Sequence, residues 1–181
     1  MDENKEVKTT GTTLIYENKW MRVREDKIVR QDGSKGIYSF VEKKDFVLIV
    51  PILNDKMVLV EQYRYPVGGR YWEFPQGSWE ERPISPEELA RAELEEETGY
   101  LAGQMEYIGH LFVAYGLADQ GYNIFMARDL VFTRKRLDPE EVGLISKEFD
   151  ISEVEELILS GVIKDASTVA VFGLLRMKNL I

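Results

Sequence analysis

The stretch from Gly77 to Tyr100, GSWEERPISPEELARAELEEETGY, decides how this chain is read. Its centre is Ala92-Glu93-Leu94-Glu95-Glu96-Glu97-Thr98-Gly99. The pattern predicts a helix that starts after Ser85 and ends at Gly99. Ser85 suits the cap, Pro86 suits the first helical position, and Glu88 completes an S-x-x-E capping box. Gly99 supplies the left-handed residue that closes a helix. Leu89 and Leu94 give the helix an apolar side. Ala90 and Ala92 let another surface come close.

Glu93, Glu96 and Glu97 stand at i, i+3 and i+4, so they project from one face, while Glu95 points elsewhere. Like charges at this spacing cost roughly 0.2–0.5 kcal/mol per pair. A hard divalent cation reverses the sign of that interaction, since Mg²⁺ prefers carboxylate oxygens and water. A solvated acidic face is the plainer reading of three glutamates. The segment upstream weighs against it: Tyr71-Trp72-Glu73-Phe74-Pro75-Gln76-Gly77 is a short aromatic strand that runs into a Pro-x-Gly turn. Strand, glycine turn, loop and carboxylate-bearing helix together describe a site.

These residues resemble the Nudix hydrolase box, a glycine, five residues, a glutamate, seven residues, then R-E-U-x-E-E-x-G-U with U aliphatic or aromatic. Gly77 matches its opening, and Glu93 to Tyr100 match its second half at every position. Three features depart from it. The loop after Gly77 is one residue longer, Pro83 or Ile84 falls where the first glutamate stands, and Ala92 replaces the arginine. That arginine orients the metal-binding carboxylates in the family. Arg91 is rotated from its place by about a third of a turn. The resemblance covers about residue 12 to residue 178. Gln62-Tyr63-Arg64-Tyr65, Trp72 to Gly77 and Ser160 to Thr168 are similar to the ADP-ribose pyrophosphatase branch.

The resemblance implies an α+β protein with the Nudix fold: an α/β/α sandwich with a mixed β-sheet, plus an N-terminal antiparallel β extension that relatives commonly exchange across a homodimer. It implies Mg²⁺ or Mn²⁺ held by Glu93, Glu96, Glu97 and the backbone carbonyl of Gln76. A metal bridging enzyme and pyrophosphate neutralises charge, polarises phosphorus and activates water. A further base is expected after the box, at Glu141 or Glu140, or at a box glutamate, Glu96 or Glu97. Arg64 is a phosphate or ribose contact by the same resemblance. Glu73 lies between Trp72 and Phe74 on a buried strand, where a carboxylate needs a partner. Pairing with Arg64 or contact with substrate satisfies it equally. Trp20 is a candidate for stacking on a base, although Trp20, Tyr16 and Tyr38 also suit a core. His110, alone in an apolar strand, is expected as a hydrogen-bonded core residue. Where relatives place Ser-Pro-Gly, this chain has Ala114-Tyr115-Gly116. A tyrosine near this position is a feature of diadenosine polyphosphate hydrolases.

Composition bounds the alternatives. A chain of 181 residues suits one medium domain. Apolar residues are 44% and charged residues 30%, as in ordinary globular proteins. A net charge of −9 argues against a nucleic-acid partner, which needs a basic face. It does not argue against a small nucleotide. With no cysteine, neither disulfides nor thiolate metal sites exist. No secretory n-region opens the sequence and no apolar run approaches membrane-spanning length. The expectation is a cytoplasmic protein with no membrane partner.

Along the chain, residues 1–10 are polar and aperiodic and are expected as a mobile tail. Residues 11–43 form the β extension and residues 44–181 the main domain, with its box at 77–100. Strands are predicted at Thr13 to Tyr16, Trp20 to Val29 and Ile37 to Val41. Phe46 to Leu53 is a continuous apolar run, suited to a strand covered on both faces. Asn54-Asp55-Lys56 turns it into Met57 to Arg64. Further strands are expected at Tyr107 to Val113, Tyr122 to Ala127 and Gly143 to Phe149. Helices are expected at Ser152 to Leu159 and Ala166 to Met177.

Three functions compete: hydrolysis of a nucleoside diphosphate derivative, ADP-ribose or an ADP-sugar giving AMP and sugar phosphate; hydrolysis of a dinucleoside polyphosphate; and a non-catalytic nucleotide-binding module. Phosphate chemistry with Mg²⁺ separates the first from the third. Comparing ADP-ribose with diadenosine tetraphosphate separates the first two.

Overall fold

Alternating apolar and polar residues near the N-terminus yield three antiparallel strands, β1 (Val7–Glu17), β2 (Arg22–Arg30) and β3 (Lys35–Glu42), in the order β1-β2-β3. The computed structural model describes residues 6–78, 84–134 and 142–181. β1 begins inside the stretch expected as a tail. Its first residues pair with β2, Val7 opposite Arg30 and Lys8 opposite Val29, so backbone hydrogen bonds rather than buried side chains hold them. Trp20 falls in the turn before β2. Within this sheet Arg24 bridges Glu42 at 2.6 Å and Asp26 at 3.1 Å.

The chain divides into two compact units. The first runs through Asp45 and also takes Phe112–Gly121, a loop far away in sequence. That loop is tied to β3 and the residues after it. Val41 N donates to Leu117 O (2.9 Å), Asp119 N to Val41 O (3.1 Å), and Lys43 N to Asp119 Oδ1 (2.9 Å). Tyr38 Oη donates to Gly116 O at 3.0 Å.

The second unit comprises Phe46–Leu111 and Tyr122–Ile181. Its first strands are β4 (Phe46–Leu53) and β5 (Lys56–Arg64), joined by a tight turn. Asn54 and Asp55 both take positive φ there, 49° and 63°, as the two central residues of a hairpin turn require. A single 3₁₀ turn, Tyr65–Val67, leads to β6 (Gly69–Glu73), then β7 (Gln76–Gly77). Helix α1 (Pro86–Thr98) follows, then β8 (Tyr100–Phe112), β9 (Gly121–Phe132), β10 (Ile145–Asp150), α2 (Ile151–Leu159) and α3 (Ala166–Met177). β8 starts directly at the end of α1, earlier than the predicted Tyr107, and β9 runs on past Ala127.

The main sheet has the order β10-β5-β4-β9-β8, with β6 paired to β5 and β7 to β4. β4 and β9 run parallel; β5 is antiparallel to β4, β6 and β10. The sheet is therefore mixed. β4 is buried on both faces, as its unbroken apolar sequence requires. Val47 and Ile49 pack with Leu89, Ala90 and Leu94 of α1. Leu48, Val50 and Ile52 pack on the opposite side with Val154 of α2 and Val171 and Leu175 of α3. One strand thus feeds two hydrophobic layers, and the result is the expected α/β/α sandwich. Each fully buried aliphatic side chain here contributes about 1.5–3 kcal/mol.

Candidate functional site

The site is built where α1 meets β7. Ser85 Oγ accepts from Glu88 N at 3.2 Å, and Ser85 N donates to Glu88 Oε2 at 3.1 Å, so the reciprocal capping box forms as predicted. Gly99 closes the helix with φ 81°. Between these caps, Leu89, Ala90 and Leu94 bury one side, which fixes the rotation of the helix about its axis. Glu93 and Glu97, one turn apart, then face β7 and are buried.

Gln76 N donates to Glu97 Oε2 at 3.1 Å. Glu93 lies over Gly77, so closely that a Cβ there would clash with its carboxyl group. A Cβ at this position would force the Glu93 carboxyl to move. Glu96 is half-buried beside them. Glu95 leaves in another direction and accepts from Thr133 Oγ1 at 3.4 Å. Arg91 also points away: it bonds Glu87 at 2.9 Å and the carbonyl of Ala102 at 2.8 Å. It does not stand in for the arginine that Ala92 replaces.

Among the described residues, no three acidic or histidine side chains already stand close enough to hold a metal ion. The donor chemistry nonetheless fits a hard cation. Two buried carboxylates, a third half-buried, and a glycine-bearing turn offer only oxygen donors, as Mg²⁺ or Mn²⁺ requires.

A second polar cluster lies on β5 and β6. Glu73 is 2% exposed. Its Oε1 accepts from Gln62 Nε2 at 2.9 Å and from an Arg64 Nη, and its Oε2 accepts from Arg64 Nε at 3.1 Å. Burial raises the Glu73 pKa above its ordinary value; the Arg64 charge opposes this, and Asp165 adds to it. The strand end is fixed by Phe74 N, which donates to the buried Thr168 Oγ1 at 2.9 Å. Gln62, Thr168 and Asp165 carried no separate mark in the sequence as members of this cluster. The alternation of β5 held the one available signal, since Gln62 and Arg64 share a face.

Other candidates lie elsewhere. Trp20 and Tyr115 belong to the first unit. Trp20 is exposed, with Lys19 Nζ 4.1 Å from its ring centre. Tyr115 is 84% exposed at the tip of the loop that Tyr38 anchors. Tyr16 and Tyr38, expected to suit a core, are exposed as well. His110 is exposed on β8, contrary to the expected core position. Glu140, Glu141 and Pro83 lie outside the described residues.

The chain matches two family models, the nucleoside diphosphate sugar hydrolase N-terminal domain over residues 7–41 and the NUDIX domain over residues 43–167. It is 31% identical to a methanol dehydrogenase activator of Bacillus methanolicus, with 96% of this chain and 95% of that one covered. It is 27% identical to an ADP-ribose pyrophosphatase of Bacillus subtilis, covering 96% and 95%. Its fold matches the crystal structure of an ADP compounds hydrolase with a TM-score of 0.84, at 21% identity and with 96% and 94% of the two chains covered.

Proposed function

This chain belongs to the Nudix hydrolase family, enzymes that act on nucleoside diphosphate derivatives, and from that premise we propose that it hydrolyses ADP-ribose or an ADP-sugar to AMP and a sugar phosphate with Mg²⁺ or Mn²⁺. The observation that carries the proposal is the seating of Glu93 and Glu97 against the Gln76–Gly77 turn. Two carboxylates buried one helical turn apart at the same backbone turn bring like charges together, which a divalent cation would neutralise.

Glu93, Glu96, Glu97 and the Gln76 carbonyl are the residues that would hold the cation. Bound there, a divalent cation would neutralise diphosphate charge and make a water more acidic. The protein's own residues bind and orient. Arg64 offers a guanidinium to a phosphate of the substrate. Water attacks one phosphorus, the bridging P–O bond breaks, and the proton passes to a carboxylate. We assign that carboxylate to Glu141 or Glu140 by family likeness, with Glu96 or Glu97 as the alternatives. Trp20 is assigned to the nucleobase. We further propose a cytoplasmic location, in keeping with the cysteine-free sequence, and a homodimer formed through the N-terminal strands, because Leu14, Ile15, Tyr16 and Ile37 are large, apolar and exposed there.

The test is a substrate panel with and without Mg²⁺. AMP release from ADP-ribose that stops on chelation supports the reading, and Glu97→Gln is expected to abolish it while leaving the circular dichroism spectrum of the fold unchanged. Unchanged rates in that variant remove the site assignment. The exposed ring of Tyr115 favours a second reading, diadenosine polyphosphate hydrolysis. Faster turnover of diadenosine tetraphosphate than of ADP-ribose, lost in Tyr115→Ala, would establish it.

A further inference from the structure

We infer that Glu73 is a positioning residue that holds the Arg64 guanidinium side-on, leaving its other edge for an anionic group, and does not itself touch substrate. The inference rests on the diphosphate reading of the site and deepens it. Glu73 sits on β6, with Val60 of β5 directly opposite. Arg64 and Gln62 follow along β5 on the same face as Val60, and all three side chains converge. Glu73 is almost wholly buried, and both its oxygens are taken: two N–H groups of Arg64 and one of Gln62 meet them, and the Gln76 side chain also bonds this carboxylate. A carboxylate so enclosed has no accessible oxygen to offer. Against a diphosphate its charge would also repel.

Arg64 is arranged the other way. Nε and one Nη are committed to Glu73, and the side chain is 39% exposed. The remaining Nη makes no hydrogen bond among the described residues. A guanidinium clamped along one edge keeps its plane fixed and presents the opposite corner in one direction. A free arginine in the same place would sample many rotamers, and binding an anion would have to order it. Gln62 serves the same end, since its amide completes Glu73 Oε1 and keeps the carboxylate from turning.

Two effects of removing the Glu73 charge oppose each other, so the experiment decides. Losing a negative charge makes the site more attractive to an anion; losing the clamp frees Arg64. The inference holds that the second wins. Steady-state kinetics with ADP-ribose and Mg²⁺ are compared for wild type, Arg64→Ala, Glu73→Gln and the double variant. Glu73→Gln is expected to raise KM about tenfold with kcat nearly unchanged, as for loss of ground-state binding. The double variant is expected to be no worse than Arg64→Ala, because Glu73 has nothing to position once Arg64 is gone. Arg64→Lys should lose as much as Arg64→Ala, since an ammonium cannot be held side-on. Full additivity in the double variant, a lower KM in Glu73→Gln, or retention of activity by Arg64→Lys overturns the inference.

A readout without turnover separates it from the functional reading. By NMR, the Arg64 Nε–H should be protected from exchange in the wild type and exposed in Glu73→Gln. Protection that persists in the variant sinks the clamp, whatever the substrate. A protected signal in a wild type that hydrolyses no diphosphate keeps the clamp and sinks the substrate instead.

Discussion

Gly77 is the residue on which the metal-site reading presses hardest. Its missing side chain is the space that the Glu93 carboxyl occupies. Gly77→Ala is expected to displace the Glu93 carboxyl, the end of a flexible side chain, at a cost toward the low end of the roughly 1–3 kcal/mol usual for overpacking. Thermal unfolding reads that loss, and Mg²⁺ titration should show weakened binding alongside it. An unchanged melting temperature would mean that the turn and the helix yield freely. Glu73 makes a prediction about pH. Burial raises its pKa in the folded state, beyond what Arg64 lowers, and Asp165 acts in the same direction as burial. The folded protein therefore binds this proton more tightly than the unfolded chain does. Its contribution to stability is complete below the ordinary carboxylate range and is lost as pH rises through the raised folded value. Compared with Glu73→Gln, which has no proton to lose here, the wild type should be relatively most stable in acid. Calorimetry of both proteins from acid to neutral pH checks the sign; a wild-type advantage that grows with pH would contradict it.

Helix α1 owes its position to features that lie within the element. Its capping box, its closing glycine and its Leu89–Leu94 side are all local, and each appears in the structure where the sequence places it. Ser85→Ala should therefore destabilise the protein by about 1 kcal/mol, the usual loss for an N-cap. For a domain of this size that is a fall of about 2–4 °C in Tm. Leu94→Ala should cost about 2–5 kcal/mol, since Leu94 is fully buried against β4. Strands were less legible than helices. β4 declared itself by an unbroken apolar run, whereas the first residues of β1, Val7-Lys8-Thr9-Thr10, are mostly polar and carry no period. Such a strand is held by pairing with β2, and pairing leaves no trace in side-chain hydrophobicity. The early start of β8 is hidden for a similar reason. Tyr100–Phe112 includes Gly103 and Gly109 and is mostly exposed, so alternation is diluted.

At the scale of the whole molecule, the first unit is a three-stranded sheet joined by a loop from much later in the chain. Exposed Leu14, Ile15 and Ile37 motivate the proposed dimer. Sedimentation should give twice the 20.9 kDa chain mass, and Ile15→Asp with Ile37→Asp should give the single chain. A monomeric wild type would refute that assignment. The sequence by itself determined the family, the two-faced strand β4 and the capped acidic helix. These follow from local periodicity, capping chemistry and a spaced motif, all of which lie within one stretch of chain. Only the tertiary structure decided that Glu93 fills the place of a Gly77 side chain, that Arg91 turns to Ala102, and that Glu73 is enclosed by Arg64 and Gln62. Those facts depend on the register of β5 with β6 and on the rotation of α1 over β7. Both are set by burial summed over the sheet, and no single segment carries that sum.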